Sequence, residues 1–514
     1  MPAVRSSTVD DVLARSARRH PDRVALRFAD RTWTYRALDD AVSRAAVALR
    51  GLGLARGDRV AAYGRNSDAY LLGFLGCARA GLVHVPVNYA LTGEELGYLV
   101  EQSGSVAALV DPGLRAQYDA AGLAVGTVLA LRDEAGSLLE RATSGPVPTS
   151  VLPDGEPPVV DGDLAQLLYT SGTTSRPKGA MMTHRALVHE YVSCVVALEL
   201  RESDDPLHPM PLYHSAGMHV FLMPYLAVGA VNHLMEAPDV PEVLRLVEER
   251  SLGAVFLAPT VWVPLTNHPD FATRDLSSLR KAFYGASIMP GPVLARLTEA
   301  LPDLTVWNCF GQSEIGPLAT VLRPEEHAER PSSCGRPVLF VEVRVVDETG
   351  ADVEPGGSGE VLYRSPQLCE GYWDAPEATA EAFADGWFHS GDLVRVDEEG
   401  YLTVVDRIKD VINTGGVLVA SREVEDVLYT HPAVAEVAVV GTPDERWIEA
   451  VTAFVVLRPD AAIGPAEAPG ALVAHARESL AGFKVPKQVL LVDELPRNQS
   501  GKLLKRVLRD QVGG

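Results

Sequence analysis

Leu167-Leu168-Tyr169-Thr170-Ser171-Gly172-Thr173-Thr174-Ser175-Arg176-Pro177-Lys178-Gly179 is the stretch whose reading decides the rest. Its apolar start reads as a buried strand, and the hydroxyl- and glycine-rich run that follows reads as a loop. Such a loop offers closely spaced backbone N–H groups, several hydroxyls and, in Lys178, one ammonium, a donor set that suits a polyphosphate. It departs from the Walker pattern, in which the lysine and a hydroxyl residue open a helix directly, because Lys178 is followed by Gly179-Ala180-Met181-Met182. A polar surface loop is the plain alternative, and this stretch alone does not choose between them.

On the N-terminal side, helix and strand patterns alternate. Val9–Arg19 has helical spacing, Val24–Phe28 reads as a strand, and Tyr35–Leu52 as a helix closed by Gly53. Strand Arg59–Tyr63, helix Asp68–Ala80 closed by Gly81, and strand Val83–Val87 continue the alternation, which predicts layered α/β architecture. Residues 144–163, rich in Pro, Gly and Asp, form a connector. Beyond the loop, Thr183 is placed to cap a helix running past His189 and Val196. From Val341 the chain turns to short strands and turns, and beyond Asp406 to a small α+β unit in which Ser421 caps a helix. The expected organisation is a large N-terminal domain, 1–406, of layered α/β sheets plus a β-rich subdomain, and a small mobile α+β C-terminal domain, 407–514.

A chain of 514 residues is too long for one ordinary core, and 47% hydrophobic with 22% charged residues is a globular balance. The net charge of −22, with no basic stripe, excludes a general nucleic-acid binder. Cys77, Cys194, Cys309, Cys334 and Cys369 lie far apart, which argues against structural zinc or a disulfide framework and for the reducing cytoplasm. Residues 1–19 lack an apolar signal core, and no apolar run reaches membrane-spanning length. Only seven of the 46 basic residues are lysines. A compact ammonium is not replaced by arginine where a point charge must fit a small site, so Lys178, Lys409 and Lys502, each in or beside a glycine-containing stretch, stand out. Lys281 and Lys505 read as ordinary surface lysines.

Four further stretches carry chemistry. Asn308-Cys309-Phe310-Gly311-Gln312-Ser313-Glu314 joins an aromatic face able to stack on a purine to a hydroxyl and a carboxylate able to hold Mg²⁺. His389-Ser390-Gly391-Asp392 ends in an acceptor for ribose hydroxyls, although Gly-Asp is also an ordinary turn. Asp406-Arg407-Ile408-Lys409-Asp410, with Gly415-Gly416, stands at the domain junction and reads equally as a solvated linker. Asn498-Gln499-Ser500-Gly501-Lys502 presents a lysine after a turn near the C-terminus.

In this order and spacing the stretches resemble the acyl-adenylate-forming superfamily: acyl-CoA synthetases, adenylation domains of nonribosomal peptide synthetases, and beetle luciferases. The resemblance runs from about Pro21 to Lys505. It implies two half-reactions: a carboxylate attacks the α-phosphate of Mg-ATP to give acyl-adenylate and pyrophosphate, then a thiol, coenzyme A, displaces AMP. By this resemblance Thr170, Ser171, Gly172, Thr173, Thr174 and Lys178 grip the leaving phosphates, Glu314 binds Mg²⁺ and Ser313 the α-phosphate. Asn308 reads the adenine amino edge, Phe310 stacks on the ring within the segment that includes Gly311 and Gln312, and Gly285, Ala286 and Ser287 line the other face. Asp392 and Arg407 hold the ribose, and Lys502 bridges carboxylate and α-phosphate. Lys409 is the hinge position, Gly415 and Gly416 line the pantetheine tunnel, and His214 matches the gate between thiol and acid. Ser175 and Ile448 replace glycines usual in the family, and Phe310 and Ser313 replace commoner Tyr and Thr. The isoleucine is expected to be a structural change.

Tyr213-His214-Ser215-Ala216 lacks the aspartate that pairs an amino-acid ammonium, and an unpaired buried ammonium is costly. It also has Ser215 in place of the asparagine of hydroxybenzoate activators. The stretches Met218–Tyr225, Pro259–Val263 and Ile315–Leu318 are largely apolar, which suits a fatty, aryl or polycyclic acid, with His219 and Trp262 as candidate shapers of the pocket. An acyl carrier protein is the alternative thiol partner. Monomer and homodimer are both open.

Overall fold

Ser67 caps the helix Asp68–Ala80, accepting from Tyr70 N at 3.0 Å, and Gly81 ends it in the left-handed region at φ +70°. Every residue of that helix except Arg79 is buried, so it is enclosed on all sides rather than amphipathic. The strand after it, Val83–Val87, is buried at all five positions, as a parallel strand covered on both faces must be. The computed structural model describes residues 6–170, 176–285, 287, 289–415, 417–444, 446–459, 461–497 and 503–512.

Among these residues the strands Thr127–Ala130, Ser105–Val110, Arg59–Tyr63, Val83–Val87, Leu164–Thr170 and Lys178–Thr183 form one sheet in that order. It is parallel until the last pair, where Lys178–Thr183 returns antiparallel to Leu164–Thr170 with Thr170 opposite Lys178. Lys178 therefore opens a strand. A second sheet runs Arg336–Pro337, Thr320–Leu322, Thr305–Phe310, Lys281–Gly285, Ala254–Phe256, Pro206–His208, Asn232–Leu234, Val24–Phe28, Arg31–Thr34. Thr170, Gly285 and Phe310 all stand at the carboxyl ends of their strands, the edge at which α/β sheets present ligand crevices.

By packing, the chain divides into two units. One is built on the chain up to Thr170 with Pro177–Val343 and Tyr363–Phe388, the other on Arg344–Leu362 and the chain from His389 onward. In the second, Phe388–Val396 pairs antiparallel with Leu402–Arg407, and Ile448–Leu457 is the centre of a five-stranded sheet flanked by Val434–Asp444, Ile412–Thr414 and Gln488–Leu491.

Three expectations need correcting. Ser421 is the first residue of the helix Ser421–Tyr429 and not its cap. The cap position is Ala420, and the acceptor comes from Asp406, whose Oδ2 accepts from Ser421 N (2.6 Å) and Ser421 Oγ (2.7 Å), satisfying a donor the helix start leaves open. Lys281 and Lys505 are not surface lysines: their side chains are 12% and 13% exposed and pair with Asp204 and Glu425, each at 2.8 Å. No helix among the described residues is long and apolar enough to cross a membrane, and all five cysteines are buried and unbridged.

Candidate active site

Residues 171–175 lie outside the described residues, so the phosphate loop is seen from its ends. Thr170 Oγ1 donates to Lys178 O at 3.5 Å, and Lys178 Nζ stands 5.2 Å above the Tyr372 ring. Tyr372 is delivered by an extended segment laid along the strand Lys178–Thr183. Glu370 N donates to Met181 O (3.0 Å), Met181 N to Gly371 O (2.9 Å) and Trp373 N to Gly179 O (2.8 Å). The Tyr372 hydroxyl then donates to Glu314 Oε1 at 3.0 Å. One phenol thus touches both the expected phosphate lysine and the expected metal carboxylate. Sequence reasoning missed it; its only signal was the aromatic pair after Gly371.

The strand Thr305–Phe310 ends in a bend that only glycine fits, because a Cβ on Gly311 would lie 2.0 Å from Pro317 O. Asn308 Nδ2 donates to Ser333 O (3.0 Å), a bond that uses the amide's donor end and not its acceptor oxygen. Ser313 and Ser215 share a hydroxyl–hydroxyl bond of 3.0 Å, joining this segment to the expected gate. Glu314 is 7% exposed and its backbone O accepts from Cys369 N at 2.8 Å. Gln312 Nε2 is buried with no hydrogen-bond partner among the described residues, a deficit of about 1–3 kcal/mol that an acceptor on a bound nucleotide would remove. Among the described residues no three His, Cys, Asp or Glu side chains cluster as a metal cage. Mg²⁺ fits this arrangement because it is commonly held by one or two carboxylates together with substrate phosphates.

The gate stretch is pinned from below by Asn66, which accepts from Leu212 N (2.7 Å) and donates to Met210 O (2.9 Å). His214 is exposed, whereas Ser215 is buried. Behind it runs a π-helical turn, Ala216–Leu222, a form frequent at functional sites. His219 is fully buried within it and does not face open space. Tyr191 OH meets its Nδ1 at 2.9 Å, its Nε2 meets Gln166 Oε1 at 2.7 Å, and Gln166 Nε2 meets His84 Nδ1 at 2.9 Å. His219 therefore braces the turn against the strand that leads into the phosphate loop. Trp262 is also core, its Nε1 donating to Phe283 O at 3.1 Å.

Burial pushes both imidazoles, His84 and His219, down to about 3. In the unfolded chain such rings titrate near the ordinary histidine value of about 6.5. The unfolded chain thus takes up protons first: this part of the stability is complete above about pH 6.5 and is lost as pH falls toward 3, by about 1.4 kcal/mol per ring per pH unit. Urea midpoints are expected to fall through that window, and less steeply for His219→Gln; parallel pH profiles of the two proteins would refute the assignment.

In the second unit Asp392 and Arg407 stand opposite each other, with Arg407 Nε 2.7 Å from Asp392 Oδ1. Lys409 lies in the short turn Ile408–Asp410, where Arg509 donates to Lys409 O (3.2 Å) and Asp410 Oδ1 (2.7 Å). Gly415 N donates to Trp447 O at 2.5 Å. Ile448 keeps the left-handed conformation that glycine favours, at φ +68°, with its side chain exposed. Ser171, Gly172, Thr173, Thr174, Ala286, Gly416 and Lys502 fall outside the described residues.

Residues 13–373 match the family model for AMP-binding enzymes and residues 423–502 the model for the AMP-binding enzyme C-terminal domain. The chain is 39% identical over 502 residues to a feruloyl-CoA synthase of an Amycolatopsis species, covering 97% of this chain and 98% of that protein. It is 36% identical over 526 residues to a medium/long-chain-fatty-acid–CoA ligase of Mycobacterium tuberculosis, covering 97% and 89%. Its fold matches the crystal structure of an anthranilate CoA ligase in complex with anthranoyl-AMP, with a TM-score of 0.89 and 27% identity over 99% of this chain and 98% of that one. The chain belongs to the AMP-binding enzyme family and is an AMP-forming acid–thiol ligase of the acyl-adenylate-forming superfamily.

Proposed function

We propose that this ligase activates a hydrophobic carboxylic acid, aryl or fatty, as its acyl-adenylate and passes the acyl group to coenzyme A in the cytoplasm. The observation that carries the site reading is the pair of contacts at Tyr372, whose hydroxyl bonds Glu314 and whose ring lies under the Lys178 ammonium. A cation for the leaving phosphates and a carboxylate for a phosphate-bound metal are thereby held by one side chain.

The acid carboxylate and the α-phosphate are both anionic, so the chain's task is alignment and neutralisation. Lys178 and the loop 170–178 hold the β- and γ-phosphates, Ser313 the α-phosphate, and Asn308 and Phe310 the adenine. Asp392 and Arg407 orient the ribose, and Lys502 neutralises the charge gathering between carboxylate and phosphorus. Glu314, together with the substrate phosphates, would hold Mg²⁺, which would supply further charge neutralisation. The carboxylate oxygen bonds phosphorus as pyrophosphate leaves; the thiol sulfur then bonds the acyl carbon as AMP leaves.

Support for an apolar acid comes from the residues around the gate. Ile315 and Leu318 are buried, and Phe221 stacks on Phe256 at 4.5 Å in a cluster that includes Phe283. Ser215 is engaged with Ser313, and Tyr213–Ala216 carries no carboxylate for an ammonium. The test is a pyrophosphate-release screen over fatty, aryl, polycyclic and amino acids, followed by thioester assays with coenzyme A and with a phosphopantetheinylated carrier protein. An aryl or fatty acid with coenzyme A is the expected best pair. Preference for an amino acid, or acyl transfer to the carrier protein alone, would overturn the proposal.

A further inference from the structure

Directly behind the segment 311–318 lies a buried polar cluster that the reaction scheme does not use. The helix His184–Ala197 turns Glu190, Ser193 and Cys194 to one side, at the i, i+3, i+4 spacing of a single helical face, and all three are fully buried. Glu190 Oε1 accepts from Leu318 N at 2.9 Å and from Cys194 Sγ at 3.3 Å, and its Oε2 accepts from Gln367 Nε2. Gln367, also fully buried, extends the same amide toward Ile315 O (3.3 Å) and Leu318 O (3.2 Å), while Ser193 Oγ donates to Gln367 Oε1 at 2.6 Å. Gly316 crosses over the carboxylate so closely that a Cβ there would stand 3.0 Å from Glu190 Oε2 and 3.1 Å from its Cδ, at φ +107°.

We propose that Glu190 and Gln367 are positioning residues for adenylation: a buried acceptor–donor clamp on the backbone of Ile315 and Leu318 that fixes where Ser313 and Glu314 present their side chains. The clamp rests on the reading of Ser313 and Glu314 given above. Its geometry needs two acceptor oxygens at 190. The Leu318 amide, the Cys194 thiol and the Gln367 amide all converge on it as donors, and a glutamine would set one NH₂ against another. Burial penalises the charged form of this side chain and pushes Glu190 up to about 8, against the pull of Leu318 N–H and the Cys194 thiol. Glu314 is held at its hydroxyl-facing end by Tyr372 and at its backbone O by Cys369 N, so the clamp fixes the remaining side of the same short turn.

The clamp predicts a kinetic signature that loss of packing alone does not give. With the full-length enzyme, its accepted acid and MgATP, Glu190→Gln is expected to lower kcat for pyrophosphate release and raise the Mg²⁺ concentration needed for half-maximal rate, by about 10-fold or more in the combined measure, as mutations behind a metal ligand do. Thioester formation from supplied acyl-adenylate should stay within about twofold, because it needs no phosphate-bound metal. Ser193→Ala, which releases only the Gln367 amide, should shift the same two quantities in the same direction, and serves if Glu190→Gln does not fold. Equal loss in both half-reactions, or unchanged pyrophosphate release and Mg²⁺ dependence in folded variants, overturns the clamp. Glu314→Gln is the reference: if it too leaves pyrophosphate release unchanged, the site reading fails and the clamp with it, whereas a crippled Glu314→Gln beside unaffected clamp variants condemns the clamp alone.

Discussion

Lys502→Ala is expected to lower pyrophosphate release by about 10²–10³-fold while acyl transfer from supplied acyl-adenylate to coenzyme A is retained. The asymmetry follows from where charge develops. In the first half-reaction two anions are brought together and the ammonium offsets the charge that accumulates between them; in the second the acyl group is already activated and AMP is the leaving group. Lys502→Arg should not restore the rate, because a forked guanidinium does not occupy the volume of a compact ammonium. Lys409→Ala is the reciprocal variant, slowed chiefly in the thioester step if Lys409 is the hinge. Pre-steady-state separation of the two half-reactions decides both: equal losses for Lys502→Ala contradict its assignment, and normal thiolation by Lys409→Ala contradicts the hinge.

The second large effect is expected at Glu314. Glu314→Gln keeps the shape and can still accept from Tyr372, but removes the charge that faces the metal, and should reduce pyrophosphate release about 10²-fold with a raised Mg²⁺ requirement. Tyr372→Phe removes one hydrogen bond of about 1 kcal/mol and keeps the ring beneath Lys178, so a loss of about fivefold is expected. If Glu314→Gln and Tyr372→Phe proved equally mild under saturating MgATP, the carboxylate would be acting only as the tyrosine's acceptor.

The layered fold was legible because its elements carry local signals. Asp68–Ala80 has its serine cap and terminal glycine in the sequence, and the valine-rich Val83–Val87, broken only by His84 and Pro86, reads as a strand. The antiparallel return of Lys178–Thr183 was not legible as a strand, since its identity comes from pairing with Leu164–Thr170 across a loop of unusual composition. The expected nucleotide motif is a contiguous run, Asn308 to Glu314. Its supports were not: Tyr372 reaches Glu314 over 58 residues, Glu190 reaches Leu318 over 128, and Gln367 reaches Glu190 over 177. No periodicity connects such partners. Ser421 looked like a cap because hydroxyl residues favour that place, but the carboxylate of Asp406 supplies the acceptor from 15 positions earlier. His219 looked like a pocket residue because it interrupts an apolar stretch, and that interruption instead serves the chain of hydrogen bonds to Gln166 and His84.

Trapping the intermediate tests the central claim most directly. The enzyme is mixed with α-phosphate-labelled ATP, Mg²⁺ and its accepted acid in the absence of thiol, quenched, and its products separated. The account predicts labelled acyl-AMP with an equal amount of pyrophosphate, and, on adding coenzyme A, conversion of that acyl-AMP to acyl-CoA and AMP. Formation of ADP and phosphate, or pyrophosphate release only after coenzyme A is added, would contradict it.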